Sequence, residues 1–427
     1  MAWLSEFYLK HPAAETMEYS VFRHLNGAGL SGVAFKDQNS KKKVISHLSA
    51  KGESTIPELA ELLNISVPKT KELLTSLLNE GLVKDSGRKT EGIGRRATIY
   101  SLDPESCYFL GIEIKKYKIN IGLMSFNAEL IDSSMDIPFT FSDGNESLDA
   151  IIEELQGFLT NIPVPKEKIL GLGLSLAGRI NVKTSKILSI YHFGNAPVKE
   201  KLEEAFHLPV YIDNDSRTLA YGEYHFGKSG LPYREKNVCI VNLDYGIAVG
   251  IFANGGPIYG ASGYAGEIGH IPMFNNEKIC FCGKKGCLET EASGLALIDF
   301  LTAKIKKGSS SRLQKVLAKK GIIELEDILE AVRFGDNLAI EGVAEIAYNL
   351  GKGLAVIINL LNPELIVLGG MLSGFGELLL LPVKTSIMQH SLSLVNSDTR
   401  VTLSTVNQKA ALPGCCLLVR NKILGLI

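Results

Sequence analysis

A chain of 427 residues exceeds one ordinary hydrophobic core and suits two or three domains. Its 45% hydrophobic and 21% charged residues are those of a soluble globular protein with sizeable cores. A net charge of −1 excludes a chain-wide basic surface, so any nucleic-acid contact must come from a local patch. The opening stretch MAWLSEFYLKHPAAETMEYS has no basic start leading into an apolar core and does not read as a secretory signal. No stretch approaches the ~20 continuous apolar residues of a membrane span. Residues 1–40 show weak periodicity and scattered aromatics, an arm or short helix to which the sequence assigns no role.

Residues 41–103 read as a separate small module. Val44, Ile45 and Leu48 recur at helical spacing between Lys43 and Ala50. A Gly52-Glu53-Ser54 turn follows. Thr55-Ile56-Pro57-Glu58 is then a capped helix start, with Leu59, Leu62 and Leu63 behind it. After a turn at Asn64-Ile65-Ser66, Ser66 caps a third helix with Pro68 in its first turn. Leu73, Leu74, Leu77 and Leu78 form the apolar stripe of that helix, and Gly81 ends it. Leu82–Lys84 and Ala97–Leu102 read as strands flanking a Gly-rich basic loop, 86–96. Three short helices and a two-stranded wing resemble the winged helix-turn-helix. There the third helix enters the major groove with Ser66, Lys69, Thr70 and Lys71 outward. The wing would place Arg88, Lys89, Arg95 and Arg96 on phosphates or in a minor groove. Segment 41–96 holds eleven Lys or Arg against seven Asp or Glu, a balance of +4. A winged fold also serves as a protein-interaction module, but the charge on helix and wing favours double-stranded DNA.

From residue 104 the pattern changes. Tyr108–Ile114, Lys118–Met124 and Glu129–Met135 read as strands and Ala150–Leu159 as an amphipathic helix. Strands and helices then alternate as in an α/β domain, with no visible internal repeat. The strongest chemical signal is His270, Cys280, Cys282 and Cys287. One imidazole and three thiolates make a full tetrahedral set for Zn2+, with Gly283 and Gly286 freeing the backbone to turn. Three free core thiols are the alternative, though buried thiols seldom crowd beside a histidine. A set with no open position is expected to be structural. Seven cysteines with three crowded together fit a metal site in a reducing cytoplasm, not a disulfide framework. Cys107, Cys239, Cys415 and Cys416 lie in apolar runs as core residues.

The run from Glu267 through Gly269-His270 to Cys280-x-Cys282-Gly283-x-x-Gly286-Cys287-x-Glu289 resembles the signature of the ROK family of repressors and sugar kinases. The winged module resembles that family's repressor branch. The resemblance implies an α/β, two-lobed actin-like or hexokinase-like ATPase fold preceded by an N-terminal winged helix-turn-helix domain. The lobes would be 104–230, completed by a C-terminal helix over 409–427, and 231–408 with the zinc, a sugar lying between them. The implied sugar-binding residues are Gly178, Arg179, Asn195, Asn214, Asp215, Glu267, His270 and Glu289. Asn214 would bond a sugar hydroxyl, and Asp215 holds the general-base position. His270 would give one ring nitrogen to zinc and one to sugar. Singly, Asn214-Asp215 reads equally as a turn and Glu267 as a solvated carboxylate. Matching positions in order around one zinc motif favour the sugar site.

The family's kinase branch ends its first strand in an Asp-x-Gly-Gly-Thr turn; here Glu113, Lys115, Lys116 and Tyr117 occupy that place. Its second phosphate loop, Gly-Thr-Gly-x-Gly-x-Gly, here reads Asp244-Tyr245-Gly246-Ile247-Ala248-Val249-Gly250. Gly369-Gly370, after Leu365–Val367, resembles the adenosine-side turn. A degenerate nucleotide site is expected, with no ATP or Mg2+ and with Asp215 a vestigial base. The expected protein is a cytoplasmic, sugar-responsive DNA-binding transcriptional regulator of carbohydrate metabolism genes. It would be a repressor, working as a homodimer or homotetramer on operator DNA, with no membrane partner. The alternative is an active sugar kinase of a hexose or N-acetylhexosamine that carries a DNA-binding domain.

Overall fold

The computed structural model describes residues 32–88, 97–115, 117–142, 144–189, 191, 193, 196–228, 233 and 235–427. Helix α1 (Val33–Lys51) buries Val44, Ile45 and Leu48. It starts at Val33 rather than Lys43, so the arm boundary at residue 40 falls inside it. Its stretch Lys36-Asp37-Gln38-Asn39-Ser40 is polar and carries no apolar period to read, even though Gln38 is buried. Strand β1 (Glu53–Thr55) takes the place of the expected turn and pairs with Ile99–Ser101. Such a short strand is too brief to show alternation. Helix α2 (Ile56–Leu63) has the expected capping box, with Glu58 accepting the Thr55 N–H at 2.8 Å. Asn64, left-handed at φ 53°, turns the chain toward α3 (Val67–Asn79). Strands β2 (Val83–Arg88) and β3 (Thr98–Leu102) complete a sheet of order β1-β3-β2.

The chain divides into two compact units. The first runs to Ile180 and adds Ser185–Asn214 and Cys415–Ile427. Beyond the winged module it contains β4 (Tyr108–Ile114), β5 (Lys118–Ser125), β6 (Leu130–Pro138), α4 (Glu146–Thr160), β7 (Ile169–Leu176), α5 (Val198–Phe206) and β8 (Val210–Asn214). The sheet order is β8-β7-β4-β5-β6. β4 pairs antiparallel with β5 and parallel with β7. The helix expected over 409–427 spans Ala411–Ile423. Paired strand residues Gly111 and Gly173 make room for it: a Cβ there would lie 2.5 Å from Cys416 Sγ and 2.6 Å from Val419 Cγ2. Among the described residues, the winged module has no separate core. Its Ile45, Leu59, Leu74 and Leu77 share one apolar cluster with Phe109, Phe126, Val419, Ile423 and Leu424.

The second unit comprises Asn181–Thr184 and Asp215–Gly414. The division falls at Asn214/Asp215, not at 230/231. Helix α6 (Asp215–Phe226) packs within this unit, where Tyr224 stacks on Phe252 at 4.2 Å between ring centroids. Strands β9 (Val238–Leu243), β10 (Ile247–Ala253) and β11 (Gly256–Pro257), helix α7 (Asn337–Leu361), strand β12 (Leu365–Gly369), helix α8 (Glu377–His390) and strand β13 (Arg400–Leu403) form its frame. The sheet order is β11-β10-β9-β12-β13. Each large sheet thus has two antiparallel pairings on one side of its first strand and two parallel pairings on the other. This repeat lies in hydrogen-bond order, not in residue identity, and no sequence repeat announces it. Helix α7 is long and apolar enough to cross a membrane, but 61% of its apolar window is buried inside the protein, as suits a core helix.

Candidate functional site

In the winged module, α3 begins after Ser66, which is exposed and makes no side-chain cap bond. The Ser66 carbonyl accepts the Thr70 N–H and hydroxyl at 3.0 and 3.1 Å. Thr70 was expected to point outward, but it is fully buried. Its position repeats toward Leu73, Leu74 and Leu77 at the spacing of one helical face. Lys69 is half-exposed. Its ammonium pairs with Glu72 at 3.2 Å and with Asp37 of α1 at 3.3 Å, and those bonds raise its pKa. Ser66, Val67 and Lys71 are exposed on this turn, Val67 to 51%. Arg88 is exposed at the end of β2; Lys89, Arg95 and Arg96 lie outside the described residues.

In the second unit, the donor atoms of His270, Cys280, Cys282 and Cys287 all lie within 4.8 Å of one another. His270 Nδ1 is 3.5 Å from Cys280 Sγ, and Cys282 Sγ is 3.6 Å from Cys287 Sγ. A zinc tetrahedron with bonds of about 2.3 Å to sulfur separates its sulfurs by about 3.8 Å, so the donor set fits that ion. The turn is tied by the Gly283 N–H donating to the Cys280 carbonyl at 2.8 Å. Burial pushes the Cys280 thiol up to about 12. Its thiolate therefore needs a neighbouring cation, which zinc would supply.

Two carboxylates border this cluster. Glu289 Oε2 accepts the Ile247 N–H at 3.2 Å, and its Oε1 lies 3.7 Å from Cys280 Sγ. Glu267 Oε2 lies 3.6 Å from His270 Nε2. The imidazole thus turns Nδ1 to the thiols and Nε2 toward a carboxylate, an arrangement that fixes a ligating ring. Asp215, at the start of α6, accepts the Ser216 N–H at 2.7 Å. In the first unit, Asn214 Nδ2 donates to the Gly178 carbonyl at 2.8 Å. The Arg179 N–H donates to Ser189 Oγ at 2.9 Å, while the Arg179 side chain is exposed. Asn195 lies outside the described residues.

The ROK family model matches residues 109–422. The chain belongs to the ROK family. A second model, described as winged helix-turn-helix DNA-binding, matches residues 38–84. A glucokinase of Halalkalibacterium halodurans is 32% identical over 319 residues, covering 74% of this chain and 96% of that protein. A xylose repressor of Caldicellulosiruptor bescii is 26% identical over 372 residues, covering 86% and 92%. The solved structure of a ROK family transcriptional regulator, described as a homolog of the E. coli MLC protein, superposes with a TM-score of 0.78 at 26% identity. It covers 91% of this chain and 96% of its own. ROK relatives of this chain thus include both kinases and regulators, and the regulators align over more of it.

The turns at 113–118 and 244–250 stand where the family resemblance implies the first and second phosphate turns of a kinase. In the first unit, Glu113 is buried and accepts Asn120 Nδ2 at 2.7 Å, and Lys115 Nζ pairs with it at 3.2 Å. The Lys115 N–H donates to the Lys118 carbonyl at 2.8 Å, so that amide is used within the turn. Lys116 lies outside the described residues, and Tyr117 is exposed. In the second unit, Asp244 accepts Gln408 Nε2 at 2.8 Å, and Tyr245 is 42% exposed. Gly246 lies against Glu289. Gly369 ends β12, and Gly370 follows at φ 79°, where a Cβ would meet the Leu243 carbonyl at 2.4 Å. Local packing alone requires glycine at 370.

Proposed function

We propose that this ROK protein is a cytoplasmic, sugar-responsive transcriptional repressor of carbohydrate metabolism genes. The observation that carries this reading is the first phosphate turn: Lys115, Glu113 and Asn120 satisfy one another there, in a chain that also has a winged module. Phosphoryl transfer needs free backbone donors and a metal-binding carboxylate at that turn.

On this reading the exposed first turn of α3 enters the major groove. Val67 suits a thymine methyl, and Lys71 and Arg88 suit phosphates. Asp215, Glu267, His270 and Glu289 of the second unit bind the sugar. His270, Cys280, Cys282 and Cys287 would hold a structural zinc, whose charge would stabilise the thiolates and fix the turn that carries His270 and Glu289. The apolar cluster shared by the winged module, the first unit's sheet and the C-terminal helix supplies the mechanical link. Sugar must bind the DNA-competent and DNA-incompetent states with different affinity for this link to regulate. A single winged module reads a short half-site, so a homodimer or homotetramer completes the operator contact.

Calorimetry of the full chain against D-glucose, D-xylose and N-acetyl-D-glucosamine tests the sugar half. One of them is expected to bind, and binding of none contradicts it. A second reading, an active sugar kinase, is favoured by Asp215 at the start of α6 and by the 32% identity to a glucokinase. A coupled ADP assay separates the two. Sugar-dependent ATP turnover that is abolished in Asp215→Ala would establish the kinase; its absence supports the regulator.

A further inference from the structure

We propose that Gly246 is a positioning residue for Glu289, kept as glycine so that the Glu289 carboxylate can lie against the 244–247 turn. By sequence, this glycine looked like a remnant of a phosphate loop. Its backbone is not in the left-handed region, so conformation alone does not require glycine. Space does. A Cβ on Gly246 would stand 2.7 Å from Glu289 Oε2 and 3.6 Å from Glu289 Cδ. That same oxygen accepts the Ile247 N–H at 3.2 Å.

Gly269 leaves the carboxylate room in the same way, since a Cβ there would lie 3.4 Å from Glu289 Oε2, while the other oxygen faces Cys280 Sγ at 3.7 Å. Glu289 is thereby held between the 244–247 turn and the cysteine cluster, with one lone pair committed to a backbone amide. A carboxylate has about four acceptor sites, so the remaining ones stay available to hydroxyl donors in a fixed direction. The turn that binds phosphate in a kinase would here serve the sugar carboxylate. A methyl group at 246 displaces the far end of a flexible side chain rather than backbone, so Gly246→Ala moves the carboxylate and leaves the fold in place.

The sugar part of this inference rests on the proposed function; the positioning part does not. The experiment uses the full chain. Amide hydrogen exchange at Ile247 is measured in wild type, Gly246→Ala and Glu289→Ala, together with zinc content and calorimetry against D-glucose, D-xylose and N-acetyl-D-glucosamine. Expected are at least tenfold faster Ile247 exchange in both variants and at least tenfold weaker sugar binding in both, with zinc retained in Gly246→Ala. The double variant should bind no more weakly than Glu289→Ala alone, because Gly246 acts through Glu289. Wild-type exchange at Ile247 in Gly246→Ala, or weakening that simply adds in the double variant, overturns the proposal. If wild type binds none of the three sugars while Ile247 exchange still accelerates in both variants, the positioning is supported and the sugar reading of the site fails.

Discussion

Leu424→Ala tests whether the DNA-reading module and the first unit are one cooperative body. Leu424 is 1% exposed and shares a cluster with Val44, Ile45, Leu48, Leu59, Leu74 and Leu77 of the winged module. Burying a leucine side chain contributes about 1.5–3 kcal/mol, and Leu→Ala with its residual cavity costs about 2–5 kcal/mol. Leu424 lies just past the last turn of the C-terminal helix, where the chain can relax into the gap, which places the cost near about 2–3 kcal/mol. At about 1.4 kcal/mol per factor of ten, opening of the affected body rises roughly 30- to 150-fold. Hydrogen exchange of the free full-length chain reads this directly. Core amides of α2 and α3 should lose protection by that factor, although those helices are remote in sequence. Amides of α7 in the second unit should keep theirs. Faster exchange confined to the C-terminal helix and its sheet, with α2 and α3 unchanged, would refute the shared core.

Lys71→Ala should weaken operator binding across DNA sequences and lower the salt slope by about 1, whereas Thr70→Val should cost about 1 kcal/mol of stability and leave DNA affinity unchanged. Anisotropy titrations at several salt concentrations, paired with denaturant unfolding, check both. Burial raises the pKa of Glu223 from 4.5, opposed by hydroxyl bonds from Ser404 and Tyr233. A folded-state pKa above the unfolded one gives stability that is full below 4.5 and lost as pH rises through the folded value. Relative to Glu223→Gln, wild type should therefore lose stability as pH rises above 4.5, and the opposite slope in denaturant midpoints would contradict this. Freshly purified protein should carry about one zinc per chain by metal analysis, and a clearly lower content would contradict a closed four-ligand site.

Much of the fold was legible because local pattern and tertiary role agree. The Thr55–Glu58 cap and strand Tyr108–Ile114 stand where composition and spacing put them. The four residues whose donor atoms cluster could be picked out from residue type alone, since few other settings crowd three thiols beside an imidazole. What was not legible depends on partners distant in sequence or on unoccupied space. Lys69 pairs with Asp37, which lies on another helix. Thr70 looked outward because it is polar, although its helical phase points inward and the Ser66 carbonyl satisfies its hydroxyl. The α1 stretch 36–40 carries no apolar period, and only Gln38 of it is buried. Gly246 and Gly370 both looked like traces of a nucleotide site. A Cβ on either would meet a packed atom, a Glu289 oxygen or the Leu243 carbonyl, which sequence does not show.

The central claim is that this protein's grip on DNA depends on a sugar. Fluorescence anisotropy with DNA from upstream of its own coding sequence, at fixed salt, measures that dependence. D-glucose, D-xylose or N-acetyl-D-glucosamine is added at saturating concentration. The account predicts specific binding that one of these sugars weakens at least tenfold, a coupling of about 1.4 kcal/mol or more. Specific binding whose affinity none of the sugars alters would contradict it.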